Sequence, residues 1–119
     1  VNYEGMSWHE INMAVTCIEN NCQGWSVTAS NAGFYHCGID GSGWEEVEVV
    51  DYSKPENACP IILQTCMTIE LAHPKLGGVG TNTIYNPLGT DWQCDYEDNK
   101  QWLRAAMICF LKMKESENG

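Results

Sequence analysis

Basic residues are scarce in this chain of 119 residues: six Lys and Arg face 16 Asp and Glu, for a net charge of −10. A surface of that sign repels nucleic-acid phosphates and anionic headgroups, so neither nucleic acid nor a membrane surface is an expected partner. The deficit is uneven. Residues 1–99 hold 14 acidic and 2 basic residues, and residues 100–119 hold 2 acidic and 4 basic. Long apolar runs are missing too. The longest, AAMICFL at 105–111, sits between Arg104 and Lys112 and falls well short of a membrane helix, so no membrane insertion is expected.

Other absences narrow the chemistry. No Asn-x-Ser or Asn-x-Thr occurs, so N-glycosylation is not expected. There is no Gly-x-Ser-x-Gly elbow. Gly77-Gly78-Val79-Gly80 lacks the Lys-Ser/Thr that a phosphate loop needs and reads as a turn. No C-x-x-C pair is present, although zinc sites usually announce themselves by two short-spaced ligand pairs. No repeat or low-complexity segment interrupts the chain, and its length suits a single domain, 1–119, with one modest core.

Cysteine is abundant: seven residues, at 17, 22, 37, 59, 66, 94 and 109. That density in a short chain implies disulfides and an oxidising compartment, so a secreted, extracellular protein is the expectation. The start at Val1 rather than Met fits a processed form. Cys17, Cys22, Cys37, Cys59, Cys66 and Cys94 are the disulfide candidates, with pairing open. Cys109, on the apolar face of a terminal helix, is expected to be unpaired and buried. An odd count also leaves a covalent dimer through one cysteine open.

Local patterns outline the elements. Ser7 and Glu10 form an S-x-x-E capping box, Met6 and Ile11 occupy the staple positions, and Trp8, Ile11, Val15 and Ile18 make an apolar stripe, so a helix is expected to end near Asn20–Gly24. GWSVTA alternates as a half-buried strand. After a turn at 30–33, FYHCGI and WEEVEVVDY complete a three-strand meander. Residues 53–60, with two prolines, read as irregular. Residues 60–72 fit period two as well as a helix begun by Pro60, and the β-branched content favours a strand. Residues 74–94 read as a long loop with a short strand around TNTIYN. Asp95 or Asp98 is expected to cap a last helix whose inner face carries Trp102, Ala106, Cys109, Phe110 and Met113, with ESENG fraying. The expected fold is α+β: an antiparallel sheet of three to five strands packed by two main helices and braced by disulfides.

The stretch GIDGSGWEEVEVVDY at 38–52 resembles a calcium loop only superficially. Aligning Gly43 with the invariant glycine puts Gly38 at the first ligand position and Val49 at the twelfth, and neither offers a side-chain oxygen. Glu46 and Glu48 share a strand face, but nothing in an open acidic strand pushes two carboxyl pKa values apart as acid–base catalysis requires. Cys37 beside His36 lies in an acidic region that disfavours a thiolate. No catalytic residue, cofactor or metal is therefore expected, and the protein is not expected to be an enzyme. Trp44, Tyr52, Tyr85 and Trp92, at strand ends or in the long loop, are the candidate partner-binding residues, since aromatic side chains often anchor protein interfaces.

The segment IENNCQGWSVTASNAGFYHCGI, with an amphipathic helix near the end of the chain, resembles the corresponding part of killer-toxin-like secreted proteins and necrosis-type effectors of fungi. That resemblance implies a small disulfide-bonded α+β protein, some members having a ferredoxin-like sandwich. It covers about a fifth of the chain, and no catalytic residue comes with it. The expected function is a secreted cysteine-rich interaction protein of effector or toxin type that binds a host or competitor protein. The alternative is a small secreted hydrolase or enzyme inhibitor that uses the 74–94 loop and nearby carboxylates.

Overall fold

The computed structural model describes residues 3–37, 43–70, 82–85, 93–96 and 102–118. A 3₁₀ turn, Tyr3–Gly5, precedes helix α1, Trp8–Glu19. The capping box forms as its sequence implies: Glu10 N–H donates to Ser7 Oγ at 3.1 Å, and Ser7 N–H donates to Glu10 Oε1 at 3.2 Å. Ile11 and Val15 are fully buried, while Trp8 and Ile18 pack at the margin of the same cluster. Each large aliphatic side chain removed from water contributes about 1.5–3 kcal/mol, so this stripe is what fixes α1 to the body.

Strands β1 (Ser26–Val27), β2 (Gly33–Cys37) and β3 (Trp44–Glu48) form an antiparallel sheet in the order β1-β2-β3. β1 is shorter than the expected GWSVTA strand, and both its residues are exposed. The turn into β2 closes with Asn31 at φ 59° and Thr28 Oγ1 accepting from Ala32 N–H at 3.2 Å. Gly33 is required by contact rather than by its own torsions: a Cβ there would lie 2.5 Å from the carbonyl oxygen of Val47 on β3.

Residues 55–60 are not irregular, and 60–65 is not strand. Helix α2 spans Pro55–Thr65. Pro55 stands in the first turn, where its missing N–H costs nothing, and Pro60 is carried inside the helix. α2 ends at Cys66, in the left-handed region at φ 55°. Only then does the chain extend, as β4 (Thr68–Glu70). β4, β5 (Asn82–Tyr85) and β6 (Gln93–Tyr96) make a second antiparallel sheet in the order β4-β5-β6. The strand expected around TNTIYN is β5. β6 lies where a loop was expected, and Asp95, paired with Thr83, is a strand residue and not a helix cap. Most of the loop expected at 74–94, Asp98 and residues 38–42 lie outside the described residues.

Helix α3, Trp102–Asn118, is the centre of the molecule. It packs against α1, α2, β5 and β6. Burial runs around its whole circumference from Ala105 to Leu111, rather than along one inner face. A helix apolar on all sides is a core element and not an amphipathic lid. It also continues through the segment expected to fray, and Glu115 Oε2 accepts a 2.6 Å hydrogen bond from the Tyr3 hydroxyl. Burial and that neighbouring carboxylate push the Tyr3 phenol up to about 12. Arg104 reaches the Met6 carbonyl oxygen at 2.6 Å, tying α3 to the entry of α1.

The architecture is α+β as expected, but with three α-helices and two three-stranded sheets among the described residues, in place of one sheet and two main helices. Cys17, Cys22, Cys37, Cys59 and Cys66 are free thiols in this structure, with no disulfide between them. No helix among the described residues is long and apolar enough to cross a membrane.

Candidate functional site

Hydrogen bonding across β2 and β3 sets which groups of the first sheet face outward. Val49 N–H donates to Ala32 O at 2.9 Å, and Thr28 N–H donates to Gly33 O at 3.0 Å. With the register Gly33↔Glu48 through Cys37↔Trp44, the alternation of an antiparallel ladder turns the backbone groups of Glu45 and Val47 toward β2. Those of Trp44, Glu46 and Glu48 point away from the sheet. β3 is an edge strand, and among the described residues no strand pairs with that outer edge.

Side chains alternate as well. Glu46 and Glu48 share one face of β3 and are both exposed, whereas Glu45 lies on the other face. There Glu45 Oε2 stands 3.4 Å from His36 Nε2, a pair that is charged on both sides only when the imidazole is protonated. His36 is oriented by its Nδ1, 3.0 Å from Cys37 O, and by the Trp25 ring, with centroids 4.3 Å apart. Among the described residues the outer edge of the first sheet thus combines the exposed carboxylates of Glu46 and Glu48 with backbone groups that no strand pairs.

On the face of the sheet toward α1, Phe34 closes an open, apolar groove of about 430 Å³ together with Met13, Ala14 and Cys17. His9, Glu10 and Asn31 line it as well, and Asn31 Nδ2 lies 3.0 Å from His9 Nε2, so the β1–β2 turn is tied to the start of α1. Sequence reading missed this groove. Its signal was present as a second stripe, His9, Met13 and Cys17, at helical spacing beside the core stripe. Burial pushes the Cys17 thiol up, while the Cys22 N–H acts in the opposite direction. A thiol raised in this way is ionised in only a small fraction of molecules at neutral pH, which slows but does not prevent its attack on a disulfide.

The expected partner-binding aromatics separate on inspection. Tyr52 is only 5% exposed and belongs to the core, because the backbone just after β3 is drawn down onto α1; it is not a surface residue. Its N–H donates to Asn12 Oδ1 at 2.9 Å, and Val50 N–H donates to Thr16 Oγ1 at 3.0 Å. Burial pushes the Tyr52 phenol up. Trp44 opens the edge strand β3, Tyr85 ends β5, and Trp92 lies outside the described residues.

The disulfide candidates are likewise dispersed. Cys17 and Cys22 meet at the end of α1, Cys37 ends β2, Cys59 lies within α2, Cys66 closes it, and Cys94 is on β6. Cys109 is fully buried in α3. Among the described residues no group of three or more His, Cys, Asp or Glu gathers to hold a metal ion. The chain matches no protein-family model, no curated protein and no solved structure.

Proposed function

We propose that this chain is a secreted interaction protein, of effector or toxin type, that acts by binding another protein of a host or competitor. The observation that carries this reading is the outer edge of β3, where the backbone groups of Trp44, Glu46 and Glu48 face away from the sheet. An edge of that kind accepts an added strand, whose main-chain hydrogen bonds supply affinity and whose alternate side chains supply specificity. Glu46 and Glu48 on one face select an extended segment with Lys or Arg at alternate positions. Each opposite-charge pair across strands contributes about 0.2–1 kcal/mol. The net charge of −10 steers such a segment in and repels a second acidic copy. Cysteine density and the resemblance to small secreted effectors support the same reading.

Titration with a short extended peptide carrying alternate lysines, against the same peptide carrying alternate glutamates, tests it. The basic peptide is expected to bind in a salt-dependent manner and to shift the amide resonances of Glu46 and Glu48. Glu48→Pro, which removes an outward N–H and leaves the ladder to β2 intact, is expected to abolish binding. Equal binding of both peptides, or undiminished binding to Glu48→Pro, overturns the reading. So does an edge that binds neither peptide and self-associates once Glu46 and Glu48 are changed to Val, since the carboxylates would then act only to block pairing between copies.

A further inference from the structure

Two helices in this protein end in the same way, and the comparison singles out one pair of residues. At the end of α2, Cys66 is left-handed, its N–H donates to Leu63 O at 3.2 Å, and Met67 N–H donates to Ile62 O at 3.2 Å. At the end of α1, Asn21 is left-handed at φ 53°, its N–H donates to Ile18 O at 3.3 Å, and Cys22 N–H donates to Cys17 O at 2.9 Å. This two-bond cap brings together the side chains of residues five apart, a contact that is normally apolar. At α2 the pair is Ile62 and Met67, both packed in or against the core. At α1 both members of the pair are cysteines.

We propose that Cys17 and Cys22 form an intrachain disulfide that locks the end of α1. Ordinary bond lengths and the 2.9 Å hydrogen bond between their own backbones hold the two Cα atoms to at most about 6.8 Å, inside the span that a disulfide tolerates. Cys22 is buried at 1% exposure and has its Sγ 3.7 Å from Asn20 O. Cys17 is half-buried on the groove side and is the thiol an oxidant reaches first. Burial, and then the neighbouring Cys17, push the Cys22 thiol up, in keeping with two sulfurs side by side.

The oxidant is a small-molecule disulfide such as oxidised glutathione. The Cys17 thiolate attacks one of its sulfurs, breaks that S–S bond and releases one glutathione thiolate. The Cys22 thiolate then attacks the Cys17 sulfur of the mixed disulfide and releases the second. Two protein S–H bonds are exchanged for one S–S bond, and the two protons end on two glutathione thiols. The bridge holds Asn21 in its left-handed conformation and removes a thiol from the groove wall. It leaves Cys37, Cys59, Cys66, Cys94 and Cys109 for other roles.

The test uses the full chain, equilibrated with excess oxidised glutathione, alkylated, and cleaved after Glu10, Glu19 and Trp25. The expected product is peptide 11–19 linked to peptide 20–25. It disappears on reduction and is absent from Cys22→Ser. Circular dichroism of Cys22→Ser and of Cys22→Ala checks that each variant is folded. In either folded variant, Cys17 is expected to become fully alkylated or glutathionylated. Recovery of Cys17 or Cys22 linked to any other cysteine overturns the proposal, and so does recovery of both as alkylated thiols or glutathione adducts from the oxidised wild-type chain. The outcome is independent of whether β3 accepts a strand.

Discussion

Asn12 and Thr16 are the buried polar residues of α1, at 8% and 0% exposure, and both face the extended backbone that follows β3. Asn12 accepts from Tyr52 N–H at 2.9 Å and extends its Nδ2 to 3.4 Å from Asp51 Oδ1. Thr16 accepts from Val50 N–H at 3.0 Å. Side chains of a helix here do what a neighbouring strand would do, and they hold the first sheet to the helical core. Asp51 Oδ1 also accepts from Ser53 N–H and from the Ser53 hydroxyl, bonds that hold its carboxyl below the usual range. Asn12→Ala leaves the Tyr52 N–H buried without an acceptor, at an expected loss of about 1–3 kcal/mol. Urea unfolding should show a lower midpoint with an unchanged slope. A stability equal to wild type would mean that the Thr16–Val50 bond and the Tyr52 ring suffice to hold Val50–Tyr52. In the sequence these two polar residues interrupt the apolar stripe and look like solvent-facing positions. Their partners lie 34 to 40 residues away, which no local pattern announces.

Elements written in local chemistry were legible, and those that depend on distant pairing were not. α1 could be read almost to the residue because its cap, staple and stripe all lie within one short stretch. β2 and β3 followed from alternation. α2 was obscured by its two prolines, which read as breaks, and by an ILQT segment that satisfies both periods. β6 is polar and short, and only its pairing with β5 makes it a strand. Pro60 is the sixth residue of α2, so it cannot donate to the Glu56 carbonyl, and its ring crowds that oxygen. Alanine in its place restores the bond. A proline inside a helix costs about 3 kcal/mol relative to alanine, and the stiffer unfolded chain returns about 0.4–1 kcal/mol of that. Because Pro60 is exposed, little packing is lost. Pro60→Ala is therefore expected to stabilise the fold by about 2–2.6 kcal/mol in the same urea experiment. A loss would show that the ring is needed where α2 meets the core.

At the scale of the whole molecule, charge and shape act together. The chain is elongated, 61 × 28 × 24 Å, with 16 carboxylates and six basic side chains spread over it. Composition made that imbalance legible at once, but not that Glu46 and Glu48 would lie on a strand that no other described strand pairs on its outer side. That placement depends on which of three strands ends the sheet and on ladder parity. Repulsion among the carboxylates opposes compaction, and Arg104, Lys112 and Lys114 on central α3 offset that repulsion only in part. The balance can be read from screening. At 10 mM salt the Debye length is about 30 Å and exceeds the two short dimensions, so carboxylates on opposite sides of the body repel one another. At 100 mM it falls to about 10 Å, and only near neighbours interact. Thermal unfolding is therefore expected to move upward by a few degrees between those two concentrations, the shift that about 1 kcal/mol produces in a domain near this size, with little further gain above. A downward shift would mean that attraction between the α3 cations and the surrounding carboxylates outweighs the repulsion, even though acidic side chains outnumber basic ones by ten.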